Sequence, residues 1–167
     1  MNSASWQGDR ALLEFLREMG VRVEVTSNGI VVRKTALRAI KADLSDCIDL
    51  LPTMAVLAAL AEGVSEFTGI TRARLKESNR VAAVRENLQK MGITVREENN
   101  KLTITGGVPK GAEIDSKGDH RIAMAFSIPA AVVGNTVIHG AECVAKTYPE
   151  FWDVFRSVGG KVQVGVK

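Results

Sequence analysis

The 167-residue chain is 46% hydrophobic, which is enough for a domain with its own core and excludes an intrinsically disordered chain. Lys and Arg number 22 against 19 Asp and Glu, and the net charge of +3 is low for a nucleic-acid-binding protein but suits a small acidic ligand. The opening MNSASWQGDR lacks the apolar core of a signal peptide, and no apolar run is long enough to span a bilayer. Cys47 and Cys143 match neither a disulfide framework nor a metal-ligand spacing. The sequence therefore predicts a soluble, cytoplasmic protein with no metal and no membrane or nucleic-acid partner.

The first elements predicted along the chain are an amphipathic helix and three strands. The apolar face of the helix is formed by Leu12, Leu13, Phe15, Leu16 and Met19. Strands follow at about 21–25, 29–33 and 38–43. Residues 53–62, TMAVLAALAE, are apolar nearly all round, so they predict a helix buried on every side, and a strand at 64–68 follows.

The same order of elements is predicted a second time. A helix at 76–91 carries an apolar face formed by Val81, Val84, Leu88 and Met91. Strands follow at about 93–97, 101–105 and 112–115. The apolar segment RIAMAFSIPAAVVG then predicts another wholly buried helix, and a strand at 135–139 follows it.

A short pattern recurs three times, as LREMGVRVEV, LQKMGITVRE and FRSVGGKVQV. Each copy is typical of a helix end, a glycine cap and a strand, with Gly20, Gly92 and Gly159 at the left-handed position. The pattern divides a single domain, 1–167, into repeats at about 8–70 and 71–140 and a partial third at 141–167. Because the helices are more apolar than the strands, the predicted fold class is α/β (α+β), with buried helices surrounded by sheets rather than a doubly wound parallel sheet.

The segment RARLKESNR gathers basic residues around one acid, Glu77, ahead of an apolar helix. A helix start near Lys76 would place Lys76 and Arg80 on one face, with Glu77 about 100° further round the helix axis. Since the backbone N–H groups and the positive end of the helix dipole also lie there, the segment is a candidate anion site. The alternative is an ordinary solvated first turn in which Glu77 favours the dipole.

The segment DHR, residues 119–121, precedes the second buried helix. Asp119 is predicted to cap that helix. Arg121 lies at its entrance, where an unpaired charge is costly, so Arg121 should meet an internal carboxylate or a bound anion. His120 is more often a packed, hydrogen-bonded residue than a catalyst, and we assign it a supporting position behind the site.

Two more segments place candidate residues at helix starts. In KTYPEFW, Thr147 and Glu150 have the spacing of a capping box, and Lys146 lies just outside the predicted helix. In CIDLLPT, Asp49 precedes the first buried helix, where it is a candidate N-cap or, facing the basic segments, a general base. Two further acids lie nearby as alternatives, Asp43 and Asp46.

The segments RLKESNR, DHRIAM and AKTYPEFW, in that order, resemble the signature segments of the 5-enolpyruvylshikimate-3-phosphate (EPSP) synthase family, also called 3-phosphoshikimate 1-carboxyvinyltransferases. The resemblance runs from about Gly8 to the C-terminus, and the family enzyme is well over twice as long, so the chain resembles most of the C-terminal domain. It implies an inside-out α/β barrel domain of repeated βαβαββ units with buried helices. It also implies transfer of the enolpyruvyl group of phosphoenolpyruvate to the 5-hydroxyl of shikimate 3-phosphate, with release of phosphate and without metal or cofactor.

The resemblance assigns four residues to phosphoenolpyruvate. Arg80 and Arg121 grip its carboxylate, a task suited to the planar guanidinium, and Lys146 holds its phosphate. Glu77 transfers a proton at its methylene carbon. The phosphonate inhibitor glyphosate binds the family at the same cations.

The resemblance assigns Lys76 and Asp49 to the shikimate hydroxyls, with Asp49 as a candidate base. Two positions depart from the family pattern: Asn79 replaces a common Asp, and Arg72 stands where some members carry an Asn that contacts shikimate. The family's other ligands, a lysine, a serine and two arginines, belong to an N-terminal half. That half is the expected partner of this chain, and the protein is otherwise expected to be a monomer.

Two alternatives remain open on the sequence. The enolpyruvyl transferase of peptidoglycan synthesis has the same fold and uses UDP-N-acetylglucosamine, although KESNR and KTYPEFW favour the shikimate enzyme. A non-catalytic module that binds anions or nucleic acid also fits the mild positive charge. The few aromatic residues (two Trp, one Tyr and five Phe) and the lack of a basic stripe argue against that module.

Overall fold

The computed structural model describes residues 8–163 and residue 165. Their helices are α1 (Ala11–Glu18), α2 (Leu51–Ala59), α3 (Arg80–Lys90), α4 (His120–Val133) and α5 (Phe151–Ser157). The strands are β1 (Val23–Thr26), β2 (Gly29–Val32), β3 (Lys41–Asp43), β4 (Val64–Thr68), β5 (Thr94–Glu97), β6 (Lys101–Thr105), β7 (Glu113–Asp115) and β8 (Val137–His139). Short 3-10 turns lie at Gly8–Arg10, Ile48–Leu50, Thr71–Leu75 and Ala141–Lys146. The order helix, three strands, helix, strand therefore occurs twice, from α1 to β4 and from α3 to β8.

Strands from the two repeats join in one four-stranded sheet with the order β3-β4-β6-β5. β3 and β4 run parallel, whereas β6 pairs antiparallel with both β4 and β5. The hairpin β1–β2 and the parallel pair β7–β8 form separate two-stranded sheets. Since the pairing of β4 with β6 crosses from one repeat to the other, it fixes the position of α2 relative to α3.

Helix α2 lies in the core, as its composition predicts, and packs against α3 and α4. Its side chains Met54, Ala55 and Ala59 are fully buried. Helix α4 differs from the prediction of a wholly buried helix, because Ile128 and Val132 are 45% and 67% exposed. One face of α4 packs on α2, and the apolar face that carries Ile128 and Val132 remains at the surface of the described residues. Among those residues, no helix has the length and apolar character needed to cross a membrane.

Helix α3 begins at Arg80 rather than at the predicted Lys76. Asn79 caps it, because the Asn79 side chain accepts a hydrogen bond from the Ala82 backbone N at 3.2 Å. Lys76 lies in the preceding loop with φ −88° and ψ −161°, which is extended backbone. The prediction that Lys76 and Arg80 share a helix face is therefore wrong, yet both side chains reach the same carboxylate, Asp49.

The three glycines of the recurring pattern adopt the left-handed backbone conformation, as predicted. Their φ angles are +87° at Gly20, +82° at Gly92 and +99° at Gly159. The strand predicted after the third glycine differs, because residues 161–163 form no strand. The last residue of that predicted strand, 164, lies outside the described residues.

Helix α5 begins at Phe151 without the predicted capping box. Glu150 immediately precedes the helix, and its side chain makes no capping hydrogen bond. Thr147 follows the 3-10 turn Ala141–Lys146, and its backbone N donates to Val144 O at 3.1 Å. Residues 148–150 thus separate Thr147 from the helix, and its hydroxyl is too far along the chain to cap the first turn.

Candidate active site

The N-terminal ends of three helices meet at one place. Asp49 lies in the 3-10 turn directly before α2, Arg80 is the first residue of α3, and Asp119 is the N-cap of α4. Packing of α2 against α3 and α4 brings these ends together. Because each helix start offers unpaired backbone N–H groups and the positive end of a dipole, the place favours negative charge.

Arg80 is the central residue of this place, and only 1% of its surface is exposed. Its guanidinium donates hydrogen bonds to three carboxylates. These bonds join Nε to Asp119 Oδ2 at 2.8 Å, Nη1 to Asp49 Oδ1 at 2.5 Å and Nη2 to Glu77 Oε2 at 2.5 Å. Together with the two cations that contact Asp49, these residues form what we name the Arg80 cluster: Asp49, Lys76, Glu77, Arg80, Asp119 and Arg121.

Asp119 is completely buried and joins α3 to α4. It caps α4 as predicted, since Oδ1 accepts a hydrogen bond from the Arg121 backbone N at 2.9 Å. It also accepts a bond from Ser78 Oγ at 3.0 Å. Burial acts to raise the pKa of Asp119, but the hydrogen bond and charge of Arg80, together with the bonds from the Arg121 backbone N and Ser78, hold the pKa below its usual value. Asp119 therefore stays ionised and keeps Arg80 in place.

Asp49 is one-third exposed and contacts three cations. Besides Arg80, Lys76 Nζ lies 3.1 Å from Oδ1 and Arg121 Nη2 lies 3.4 Å from Oδ2. Burial acts to raise the pKa of Asp49, but these three cations lower it overall. Its predicted role as an N-cap is wrong, because Leu50 occupies the N-cap position of α2 and Asp49 lies inside the 3-10 turn. Asp43, one of the two alternative acids, accepts a hydrogen bond from the Ser45 backbone N at 2.7 Å.

Three cations of the predicted site have accessible side chains. Lys76 and Arg121 are 32% and 33% exposed. Arg121 also lies 3.8 Å from Asp9 Oδ2, so two carboxylates share its charge. Lys146 is exposed at the end of its 3-10 turn, and that turn packs against α4, which begins one residue before Arg121. The accessible side chains of Lys76 and Arg121, which both contact Asp49, can bind a small anion.

The family of the chain is decided by comparison with known proteins. A family model described as EPSP synthase (3-phosphoshikimate 1-carboxyvinyltransferase) matches residues 1–155. The chain belongs to the EPSP synthase family. The 3-phosphoshikimate 1-carboxyvinyltransferase of Dehalococcoides mccartyi is 54% identical over 162 residues, which make up 97% of this chain and 39% of that protein. The protein of the same name from Methanopyrus kandleri is 45% identical over 153 residues, or 90% of this chain and 36% of that protein. The chain thus spans less than half the length of these relatives.

Solved structures agree with EPSP synthase membership. EPSP synthase from Acinetobacter baumannii superposes with a TM-score of 0.81 at 28% identity, covering 93% of this chain and 40% of that chain. The enolpyruvyl transferase NikO from Streptomyces tendae has a TM-score of 0.71 at 22% identity, covering 93% of this chain and 37% of that chain, and this likeness concerns the fold alone. The predicted EPSP synthase-like α/β fold is therefore confirmed.

The two departures from the EPSP synthase pattern have structural partners in this chain. Asn79 caps α3, a position in which Asn is as favourable as Asp. Arg72 Nη2 donates to the Ser45 backbone O, which ties the turn before α3 to the segment before Asp49. Although Asn79 carries no charge, Arg80 is oriented by another carboxylate, that of Asp119. Neither departure disrupts the Arg80 cluster.

Sequence reasoning missed two residues of this candidate site. Asp119 was recognised only as a helix cap, and Ser78 was not considered. Asp119 lies two residues before Arg121, and this position could have indicated that the capping carboxylate also pairs with a basic residue of the site. His120 is buried, and its Nδ1 has no hydrogen-bond partner among the described residues. Its supporting role stays a prediction.

The stability of this chain is expected to fall in acid. The pKa values of Asp49 and Asp119 are lower in the folded protein than the ordinary aspartate value of about 3.9. Their contribution to stability is therefore complete above about pH 4 and is lost as the pH falls through the folded pKa values. Urea unfolding between pH 7 and pH 3 measures this loss. Asp119→Asn, which retains a capping side chain, should show a shallower decline, and an equally steep decline would contradict the role of Asp119.

Proposed function

We propose that the protein transfers the enolpyruvyl group of phosphoenolpyruvate to the 5-hydroxyl of shikimate 3-phosphate, a step of aromatic amino-acid synthesis, and that this chain supplies about half of the active site. The observation that carries the proposal is the Arg80 cluster. It joins residues of two signature segments, KESNR and DHR, with Asp49 at three helix starts. Relatives named 3-phosphoshikimate 1-carboxyvinyltransferase support the assignment.

The proposed reaction proceeds by addition and elimination. The 5-hydroxyl oxygen adds to C2 of phosphoenolpyruvate while a proton adds to its C3 methylene carbon, which gives a tetrahedral intermediate. Loss of phosphate and of one C3 proton then re-forms the C2=C3 double bond, which gives the enol ether product. Glu77 is the proposed carrier of the C3 proton, and Asp49 binds the shikimate hydroxyls and is the candidate base. The lowered pKa of Asp49 makes it a weak base while its cations remain paired with it.

Binding of phosphoenolpyruvate is proposed to use the accessible cations. Lys146 ends the turn that packs against α4, and Arg121 is the second residue of that helix. Arg121 is the stronger candidate for the carboxylate, because its guanidinium is one-third exposed. Lys146 suits the phosphate as a point charge. Lys76 is proposed to contact the shikimate hydroxyls, since it already reaches Asp49.

A chimaera tests the proposed activity. This chain would replace the matching segment of the Dehalococcoides mccartyi relative, and release of phosphate would be followed with phosphoenolpyruvate and shikimate 3-phosphate. Turnover close to that of the parent enzyme supports the proposal. Turnover with UDP-N-acetylglucosamine as acceptor would favour the alternative transferase instead. A steeply salt-dependent affinity for DNA, with no turnover, would favour a nucleic-acid-binding module.

Arg121→Ala in the chimaera is expected to weaken phosphoenolpyruvate use more than binding of shikimate 3-phosphate. The loss of a charge-assisted bidentate contact should cost about 2–4 kcal/mol in kcat/KM for phosphoenolpyruvate. Steady-state kinetics and calorimetry for each substrate separate the two effects. Arg96→Ala is the matched control, because Arg96 is 79% exposed and contacts only Glu98 among the described carboxylates. Equal losses for both substrates would contradict this division of roles.

A further inference from the structure

The Arg80 guanidinium has no open face for a ligand in this structure. Its surface is 1% exposed, and Nε, Nη1 and Nη2 all donate to carboxylates of the chain itself. An unpaired charge at such a buried position is strongly unfavourable. Any anion that binds Arg80 must therefore replace one of these carboxylates, and Arg80 must remain paired throughout.

The three carboxylates differ in how firmly they are held. Asp119 is fully buried and also accepts bonds from Ser78 Oγ and the Arg121 backbone N. Asp49 is also held by Lys76 and Arg121. Glu77 has Arg80 as its one ion-pair partner among the described residues, and its side chain is 39% exposed. Glu77 is therefore the carboxylate that a ligand displaces at the lowest cost.

The backbone around Glu77 also permits this displacement. Glu77 lies between the 3-10 turn Thr71–Leu75 and the first residue of α3, in a short loop that belongs to neither element. Ser78 anchors the next position to Asp119, so the loop itself is held while the Glu77 side chain points to the surface. Rotation of this one side chain away from Arg80 breaks its ion pair and leaves α3 intact.

We propose that Glu77 is an exchangeable ligand of Arg80, whose place an incoming anionic ligand takes. In the unliganded cluster, three cations (Lys76, Arg80, Arg121) balance three carboxylates (Asp49, Glu77, Asp119), so Glu77 acts as a built-in competitor of the ligand. The exchange keeps Arg80 paired and releases Glu77 only when the anion is bound. The identity of the anion, phosphoenolpyruvate, rests on the proposed function. The exchange then couples ligand binding to the freeing of the carboxylate proposed to carry the C3 proton.

The exchange makes an unusual prediction for the 167-residue chain: Glu77→Ala should bind phosphoenolpyruvate more tightly than the unmodified chain. Removal of the competing carboxylate is expected to lower the dissociation constant about fivefold. This factor corresponds to the free energy of one partly exposed ion pair. Isothermal titration calorimetry at fixed ionic strength measures the constant. Glu77→Gln, which keeps the shape of the side chain, should show a smaller gain of the same sign, and it serves if the alanine variant fails to fold.

Asp46→Asn is the matched control. Asp46 is exposed, lies three residues before Asp49 and makes no hydrogen bond to the Arg80 guanidinium, so the variant removes the same charge close to the site. An equal gain in this control would overturn the exchange in favour of general charge effects. Unchanged, weaker or undetectable binding in both Glu77 variants would also overturn it. Turnover by the chimaera tests the proposed function separately, because a chimaera can be active whether or not Glu77 competes with the ligand.

Discussion

The 167-residue chain alone is expected to release no phosphate from phosphoenolpyruvate and shikimate 3-phosphate, although it folds. Folding is expected because α2, α3 and α4 bury a continuous core that includes Met54, Val84 and Phe126. Inactivity is expected because transfer requires both substrates at reacting distance in a site that excludes water. The cations of the Arg80 cluster are balanced by its carboxylates, and Lys76 and Arg121 remain open to solvent.

Circular dichroism measures whether the chain folds, and a phosphate-release assay measures its activity. Mixing the chain with the remaining, N-terminal part of the Dehalococcoides mccartyi relative, which this chain matches over 39% of its length, should restore turnover. Robust turnover by the chain alone would overturn the half-site proposal. A folded mixture that stays inactive would count against the catalytic competence of the residues that depart from the family, Asn79 and Arg72.

Glu77→Gln in the chimaera is expected to lower kcat on the order of a hundredfold while the unfolding midpoint changes little. Glutamine retains the shape of the side chain and can still accept a hydrogen bond from Arg80 Nη2, so Arg80 stays paired. It cannot carry the proton that the reaction moves to and from C3. Single-turnover kinetics and thermal unfolding of the same preparation separate the two effects.

Glu86→Gln is the matched control for this variant. Glu86 lies on the same helix as Arg80, is 43% exposed and pairs with Arg85 at the surface. Its neutralisation should leave both kcat and the unfolding midpoint unchanged. If Glu77→Gln lowered the unfolding midpoint and retained turnover, Glu77 would be a carboxylate that stabilises the start of α3 and nothing more.

Local sequence patterns determined most of the secondary structure. The left-handed glycines, Gly20, Gly92 and Gly159, mark helix ends because their backbone conformation depends on the residue itself. The burial of α2 is likewise predicted by its apolar composition. Helix starts were less predictable: α3 begins at Arg80 rather than at Lys76, and Thr147 does not cap α5. Several polar residues near each start could serve as the cap.

The sequence also determined the family, through three segments whose order and residue types are specific. Only the tertiary structure decided how the charged residues of those segments pair. Arg80 meets Asp49 across 31 residues of sequence and Asp119 across 39, and these contacts follow from the packing of α2, α3 and α4. No local pattern distinguishes a guanidinium that is open to a ligand from one enclosed by three carboxylates. The difference depends on burial, because an enclosed charge must be paired within the chain whereas an exposed charge is stabilised by water.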